Sequence, residues 1–465
     1  MPKPVLNPYL CNLCAGCTGV CSFSAISVRS GRLHIDEKAC TGCGMCITAC
    51  PNNALAGRVD QIDNIQTPDI LIVGGGPAGL SAGYWATKAG ADVLVVERKK
   101  SLETPLSCAE GVSTSGFAQL GIPIRDEWIS ARIEGGILIS PNGIETVLHH
   151  PDAGYILNRK NLATDLSTMI TEAGGRVMTD TALTAINDDI CTLQRGSVEF
   201  HVKPTIIIAA DGIEGSVKKL KGLTDELLPT TEMHSAAQYI VHAPDFDLEY
   251  PTFRIGSQYA PGGYLWLFPK DNGKINLGLG IHPAAGRNAR TLLDNYIADN
   301  IPDATILEST GGTIPTTKLG RLRLKNILFA GDASWATDPL SGGGIERAFQ
   351  TGRISGELAA KAIADSDFSI LNRYEKDVRA SFGRRHSFMY AMRNLYQKLD
   401  DSDLEYVCDL INSIFHGRSV TSIDIQSVLK GLIKKTKNSE NPDWYQITTK
   451  ISSKRIWFFP QHTLF

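Results

Sequence analysis

Eight cysteines crowd the first 50 residues in two runs: Cys11, Cys14, Cys17 and Cys21, then Cys40, Cys43, Cys46 and Cys50. Both runs read C-x-x-C-x-x-C-x-x-x-C, and each cysteine of the second lies 29 residues after its counterpart. The repeat outlasts the cysteines, because Ala25-Ile26 matches Ala54-Leu55. Two-residue gaps let neighbouring thiolates reach one face of an iron–sulfur cube, and this spacing suits two 4Fe–4S clusters. Such a chain moves electrons one at a time. Zinc sites or disulfides are the competing readings. Two complete four-cysteine sets favour the clusters.

Residues 1–60 resemble the bacterial-type two-cluster ferredoxins. In that pattern the fourth cysteine of each run ligates the other run's cluster. The resemblance therefore assigns Cys11, Cys14, Cys17 and Cys50 to one cluster, and Cys40, Cys43, Cys46 and Cys21 to the other. Ser22 stands where the family usually has proline, whereas Pro51 keeps it in the second run.

A second chemistry needs a β–α–β unit to position it. Asp69-Ile-Leu-Ile-Val73 is a short apolar run that predicts a buried parallel strand. Gly74-Gly75-Gly76-Pro77-Ala78-Gly79 follows, then a helix-like stretch to Lys88, then a second apolar strand ending at Glu97. This is a dinucleotide fingerprint with its acidic residue in register. Gly74 permits the tight turn, Gly76 the approach of a pyrophosphate, and Gly79 close helix packing. The helix N-terminus offers free N–H groups to phosphate, and Glu97 would accept ribose hydroxyls. Two further apolar strands deliver Asp211-Gly212 and Gly331-Asp332 at their C-terminal ends, where α/β ligands bind. Together they point to FAD rather than NAD. Turn or N-cap roles are the plain alternative for each aspartate. The stretch Ser341-Gly-Gly-Gly-Ile345 opens a helix expected over Glu346 to Ala359, whose N-terminus could face the flavin ring.

About residues 68–365 resemble the p-hydroxybenzoate hydroxylase-like flavoproteins, and among them the geranylgeranyl reductases. The fingerprint carries the resemblance, with Cys108-Ala-Glu-Gly111, the Tyr264-x-Trp266-x-Phe268-Pro269-Lys270 signature, and Gly331-Asp332 with Gly342-Gly343-Gly344. It implies FAD contacts at Ala78, Glu97, Cys108, Ala109, Gly111, Arg159, Asp332, Gly344 and Ile345. It also implies saturation of isoprenoid C=C bonds in archaeal ether-lipid precursors. The fused ferredoxin and the Glu346-Arg347 opening of the last helix depart from the simplest members.

Residues two apart share a strand face, so Tyr264, Trp266 and Phe268 would form one aromatic wall. Such a wall suits a polyprenyl chain and a transition state with cationic character, and Lys270 beyond it could meet a phosphate or solvent. Core packing is the plainer alternative. Cys108 could donate a proton or position flavin, or be a small buried hydrophobe. These four residues are the candidate catalytic set. The electrons would come from an external donor such as a soluble ferredoxin. The rival reading is an electron carrier between clusters, FAD and a quinone or partner protein.

The chain has 465 residues, 43% hydrophobic and 20% charged, with net charge −3, which suits a multidomain globular protein and argues against nucleic-acid binding. The expected fold is α/β and α+β, with a ferredoxin at residues 1–60 and a linker at 61–67. A Rossmann-like FAD domain follows at 68–110, 151–225 and 318–365. An antiparallel-sheet substrate domain interleaves at 111–150 and 226–317, and a helical region ends the chain at 366–465. No apolar run reaches the length of a spanning helix, and Met1 to Leu10 do not read as a secretory leader. Few cysteines outside the clusters and oxygen-sensitive cubes point to a reducing, oxygen-poor cytoplasm. The last 50 residues carry eight Lys/Arg against three Asp/Glu, an apolar face from Ile423 to Ile433, and the apolar tail Ile456-Trp-Phe-Phe459. Two readings stand: peripheral contact with the inner face of a membrane, or packing that closes the substrate cavity.

Overall fold

The computed structural model describes residues 3–415 apart from 7–10, 12, 30–31, 53, 57–59, 104–106, 119 and 247. The basic apolar face at 423–433 and the tail at 456–459 lie outside the described residues.

The apolar runs build a six-stranded sheet. Its order is Arg176–Met178, Val93–Val96, Ile70–Val73, Ile206–Ala209, Ile327–Phe329 and Arg323–Leu324. All neighbours are parallel except the last pair. Ile70, Leu71 and Ile72 are fully buried because the sheet is covered on both faces. Each such side chain contributes ~1.5–3 kcal/mol of burial. One cover is the helix Pro77–Lys88 crossing the helix Ile345–Ala364. Gly352 and Gly356 let them touch: a Cβ on either would come within 2.4 Å of the Ala78 or Ala82 carbonyl oxygen. The second helix is longer than the expected Glu346–Ala359.

An eight-stranded sheet stands beside it, ordered Thr305–Pro315, Met233–His242, Lys274–Ile281, Tyr264–Lys270, Thr252–Arg254, Ile129–Ile139, Glu145–Leu157 and Gly111–Ser113. It is antiparallel except where Thr252–Arg254 meets Ile129–Ile139. Residues 151–157, placed with the flavin domain from sequence, belong to this sheet as the end of the Glu145–Leu157 strand.

The stretch 61–67, expected as a linker, is instead mostly strand. Asp60–Gln66 pairs parallel with Val198–Val202, at the edge of a sheet that also holds Thr181–Asn187 and Ile190–Arg195. Its polar composition fits an edge with one free side.

The N-terminal module shows its repeat in three dimensions. Short helices Gly16–Gly19 and Met45–Ala49 follow equivalent cysteines. The Ala25 N–H donates to Cys21 Sγ at 3.3 Å, and the Ala54 N–H donates to Cys50 Sγ at 3.2 Å. Ala182 of the Thr181–Asn187 strand packs into this module's core with Ile26, Leu33 and Leu55. Among the described residues no helix is long and apolar enough to cross a membrane.

Candidate active site

The fingerprint glycines divide by what surrounds them. Gly74 has φ +109°, and a Cβ there would lie 2.2 Å from Ala210 O. A Cβ on Gly79 would lie 1.8 Å from Gly74 O. These two fold the turn. A Cβ on Gly76 would meet nothing within 4 Å, so this backbone faces open space at the start of the Pro77–Lys88 helix. That space belongs to a cleft of about 250 Å³ lined by Gly76, Glu97, Ser107, Arg159 and Phe349. Glu97 accepts the Gly75 N–H at 2.7 Å and the Lys99 N–H at 2.8 Å. A glycine backbone facing a cleft at a helix N-terminus, with a carboxylate beside it, fits a dinucleotide pyrophosphate and ribose.

Asp211 and Asp332 also follow parallel strands. Asp211 Oδ2 caps the short helix Ser216–Leu220 through the Val217 N–H at 2.7 Å. Its Oδ1 is buried without a protein partner, and burial pushes the carboxyl up to about 6. Gly212, with φ +72°, turns the chain there. Asp332 is half-buried, and desolvation raises its pKa, while the Thr337 hydroxyl at 2.5 Å and nearby Arg159 hold it down. A Cβ on Gly344 would lie 3.7 Å from Asp332 Oδ1, so Asp332 and the start of the Ile345–Ala364 helix meet. Ala78 approaches the same corner, where a Cβ on Gly331 would lie 2.9 Å from its methyl.

Tyr264, Trp266 and Phe268 share one cluster with Ile156, Ala109 and Phe253. Ring centroids are 6.1 Å apart for Tyr264–Trp266, 5.6 Å for Phe253–Tyr264 and 5.2 Å for Phe253–Phe268, all edge-on. Phe253, on the adjacent strand, was not apparent from the signature. Phe268 lies against Gly111, where a Cβ would be 3.1 Å from its ring. The Tyr264 hydroxyl donates to Ser341 O in the glycine stretch, and burial raises its pKa. The wall thus joins the Cys108–Gly111 turn to the glycines before the last flavin-side helix.

Lys270 is not free for a phosphate. It pairs with Glu110 at 2.6 Å and donates to Leu157 O at 3.0 Å, with about a tenth of each charged side chain exposed. Two buried amides missed in the sequence complete the turn, Gln238 and Asn276. The signal for Asn276 was a lone polar residue inside the apolar run Lys274–Ile281.

Two basic residues of the C-terminal helices, Arg393 and His386, are buried in packing, whereas Arg379 and Arg384 are exposed. Arg393 is 4% exposed and donates to Thr231 O at 2.9 Å, and buried His386 contacts Thr317 O at 2.8 Å. Tyr396 donates to Gly263 O at 2.5 Å, just before the aromatic strand. Glu346, the departure at the helix start, accepts from the Ser113 N–H and hydroxyl, both at 2.7 Å.

In the N-terminal module, one cavity is lined by Cys11, Cys14, Cys17 and Cys50, and another by Cys21, Cys40, Cys43 and Cys46. Among the described residues no three His, Cys, Asp or Glu side chains converge on a single-ion site.

This fold and site define a flavoprotein oxidoreductase that carries its own iron–sulfur module. Family descriptions match as geranylgeranyl reductase catalytic domain at residues 232–314, FAD binding domain at 69–122 and 4Fe-4S binding domain at 33–56. The chain is 34% identical over 383 residues to digeranylgeranylglycerophospholipid reductase 2 of Methanococcoides burtonii, covering 79% of this chain and 93% of that one. It is 32% identical over 388 residues to digeranylgeranylglycerophospholipid reductase of Methanosarcina acetivorans, with the same coverage. A geranylgeranyl bacteriochlorophyll reductase-like protein of Thermoplasma acidophilum shares the fold, with TM-score 0.76, 24% identity, and 84% and 100% of the two chains covered. The chain belongs to the geranylgeranyl reductase family of digeranylgeranylglycerophospholipid reductases.

Proposed function

We propose that this chain is a FAD-dependent reductase that saturates the C=C bonds of geranylgeranyl chains in ether-lipid precursors. Two 4Fe–4S clusters in its N-terminal module would take electrons from an external donor such as a soluble ferredoxin. The observation that carries the reading is the aromatic cluster of Tyr264, Trp266 and Phe268 packed on the Cys108–Gly111 turn beside the flavin cleft. The two four-cysteine cavities support one cluster each, with ligands exchanged between runs.

When bound, the clusters accept electrons singly and FAD supplies a hydride equivalent to one alkene carbon while a proton reaches the other. The chain's own part is positioning. Gly74, Gly76 and Gly79 shape the phosphate approach, and Glu97 would turn its carboxylate to the ribose. Asp211, Gly212, Asp332, Gly344 and Ile345 would line the rest of the cofactor, with Ala78 and Arg159. Ala109 would help exclude water, and Tyr264, Trp266 and Phe268 would offer ring faces to positive charge. Cys108 would hold a proton at Sγ. The lipid substrate implies peripheral contact with the inner face of a membrane. The test is anaerobic incubation of the holoenzyme with dithionite and a geranylgeranyl glycerophospholipid. Mass gains of two units per double bond are expected; an unchanged lipid beside rapid quinone reduction would establish the electron-carrier reading instead.

A further inference from the structure

Both main-chain polar groups of Cys108 are held by side chains of the substrate sheet. Its N–H donates to Gln238 Oε1 at 2.8 Å, and its carbonyl accepts from Asn276 Nδ2 at 2.8 Å. Gln238 is 3% exposed and Asn276 is fully buried. They stand on adjacent paired strands, Met233–His242 and Lys274–Ile281. Asn276 Nδ2 also reaches Glu110 Oε2 at 3.3 Å, and that oxygen is bound by Lys270.

The orientation of Asn276 is set in turn by Trp266. The indole Nε1–H donates to Asn276 Oδ1 at 3.0 Å. An indole N–H can only donate and a peptide carbonyl can only accept. The amide therefore has one allowed orientation: oxygen to Trp266, nitrogen to Cys108. The indole itself lies over Gly278, where a Cβ would sit 2.3 Å from Trp266 Cζ2. The turn needs such support, because Glu110 sits at φ +68°, a conformation unusual for a residue with a side chain.

We infer that Gln238 and Asn276 are positioning residues for Cys108, and that Trp266 acts on the reaction through the indole N–H to Asn276 as well as through its ring face. The inference rests on the reductase reading given above. It makes the distance from the aromatic strand to the cysteine turn a fixed quantity, so the side of the site facing the lipid sets where the thiol stands on the flavin side.

The test uses anaerobic holoenzyme and iodoacetamide, with peptide masses reporting the alkylation rate of each free cysteine. Cys191 and Cys408, both fully buried, serve as internal standards. Asn276→Asp keeps the volume but turns an acceptor on the Cys108 carbonyl; Trp266→Phe removes the N–H and keeps an aromatic ring. In both, Cys108 alkylation is expected to rise about ten-fold, as one buried hydrogen bond is lost. Cys191 and Cys408 should not change. Lipid turnover should fall by roughly 10–100-fold with KM held within about two-fold, the mark of misplacement rather than lost binding. The double variant should be no worse than the poorer single one, because both cut the same chain of bonds. Cys108 alkylation unchanged in both variants would overturn the inference. So would raised alkylation with wild-type turnover. If Asn276→Asp loosens all three cysteines, Trp266→Phe decides, and the same general loosening there would also overturn it. Wild-type protein without lipid turnover would sink the reductase reading alone and leave the alkylation comparison standing.

Discussion

Glu110 and Lys270 meet in a nearly dry pocket, with side chains 10% and 11% exposed. Removing one partner of such a pair strands the other, typically at about 3–5 kcal/mol. Lys270→Met should therefore lower the melting temperature of the flavin-loaded protein sharply, and adding Glu110→Gln should recover most of the loss. Additive losses in the pair would contradict this. His234 is a second buried group with a consequence. Its Nε2 contacts Gly262 O at 2.8 Å and its Nδ1 contacts the Thr316 hydroxyl at 2.9 Å. Since a carbonyl only accepts, the proton sits on Nε2. Burial, helped by His282 and Arg393, holds its pKa down at about 4. The unfolded chain takes up this proton near pH 6.5, so between about 6.5 and 4 unfolding binds protons and stability falls as pH falls. The loss is ~3 kcal/mol at most by linkage, and His234→Gln should flatten that part of the stability profile. The grouping of the eight cysteines was legible, because the spacing marks two runs and the ferredoxin resemblance exchanges their fourth members, as the two cavities do. Asn276 and Gln238 were not, since their roles arise from strand pairing: Asn276 lies opposite Phe268, eight residues away in sequence. Lys270 was misjudged for the same reason, because Glu110 is 160 residues distant.

At the level of elements, the turn into the Pro77–Lys88 helix uses its glycines differently. Gly79→Ala would drive a methyl against the Gly74 carbonyl oxygen, 1.8 Å away, and neither is the end of a flexible side chain. Overpacking of this kind costs ~3 kcal/mol or more, so the variant should fold poorly. Gly76→Ala meets nothing within 4 Å in the protein. It should melt like wild type without flavin, yet bind FAD about ten-fold more weakly or worse, because the methyl occupies the phosphate approach. Isothermal titration of flavin into the apoprotein, beside apoprotein melting curves, separates the two. Strands and the first helix of this unit were readable from apolar runs and turn glycines. The strand Asp60–Gln66 was not: its residues are polar apart from Ile62 and Ile65, and only its partner Val198–Val202 makes it a strand. The end of the Glu145–Leu157 strand was likewise invisible, since its pairing shifts register between His149 and Gly154 before it resumes.

Over the whole molecule, the reductase reading brings electrons through the cysteine module and the lipid to the aromatic strand. The cysteine module packs on the flavin-side strands through Ala182, and Thr181 beside it donates its N–H to the Glu97 carbonyl at 2.8 Å. The proposed two clusters predict about eight irons and eight sulfides per chain; four of each would reduce the module to one cluster. Cys14→Ser should damage one cluster and leave FAD bound, because the flavin sheet has its own core. The most direct measurement supplies reduced ferredoxin as the sole reductant, under strict anaerobiosis, and follows a geranylgeranyl glycerophospholipid by mass. Wild-type protein is predicted to add two mass units per double bond, while Cys14→Ser with its full flavin content falls at least ten-fold behind, the scale of a broken electron path. Equal saturation by both proteins would contradict electron entry through the clusters, and a lipid unchanged by wild type while quinone is reduced would contradict the reductase itself.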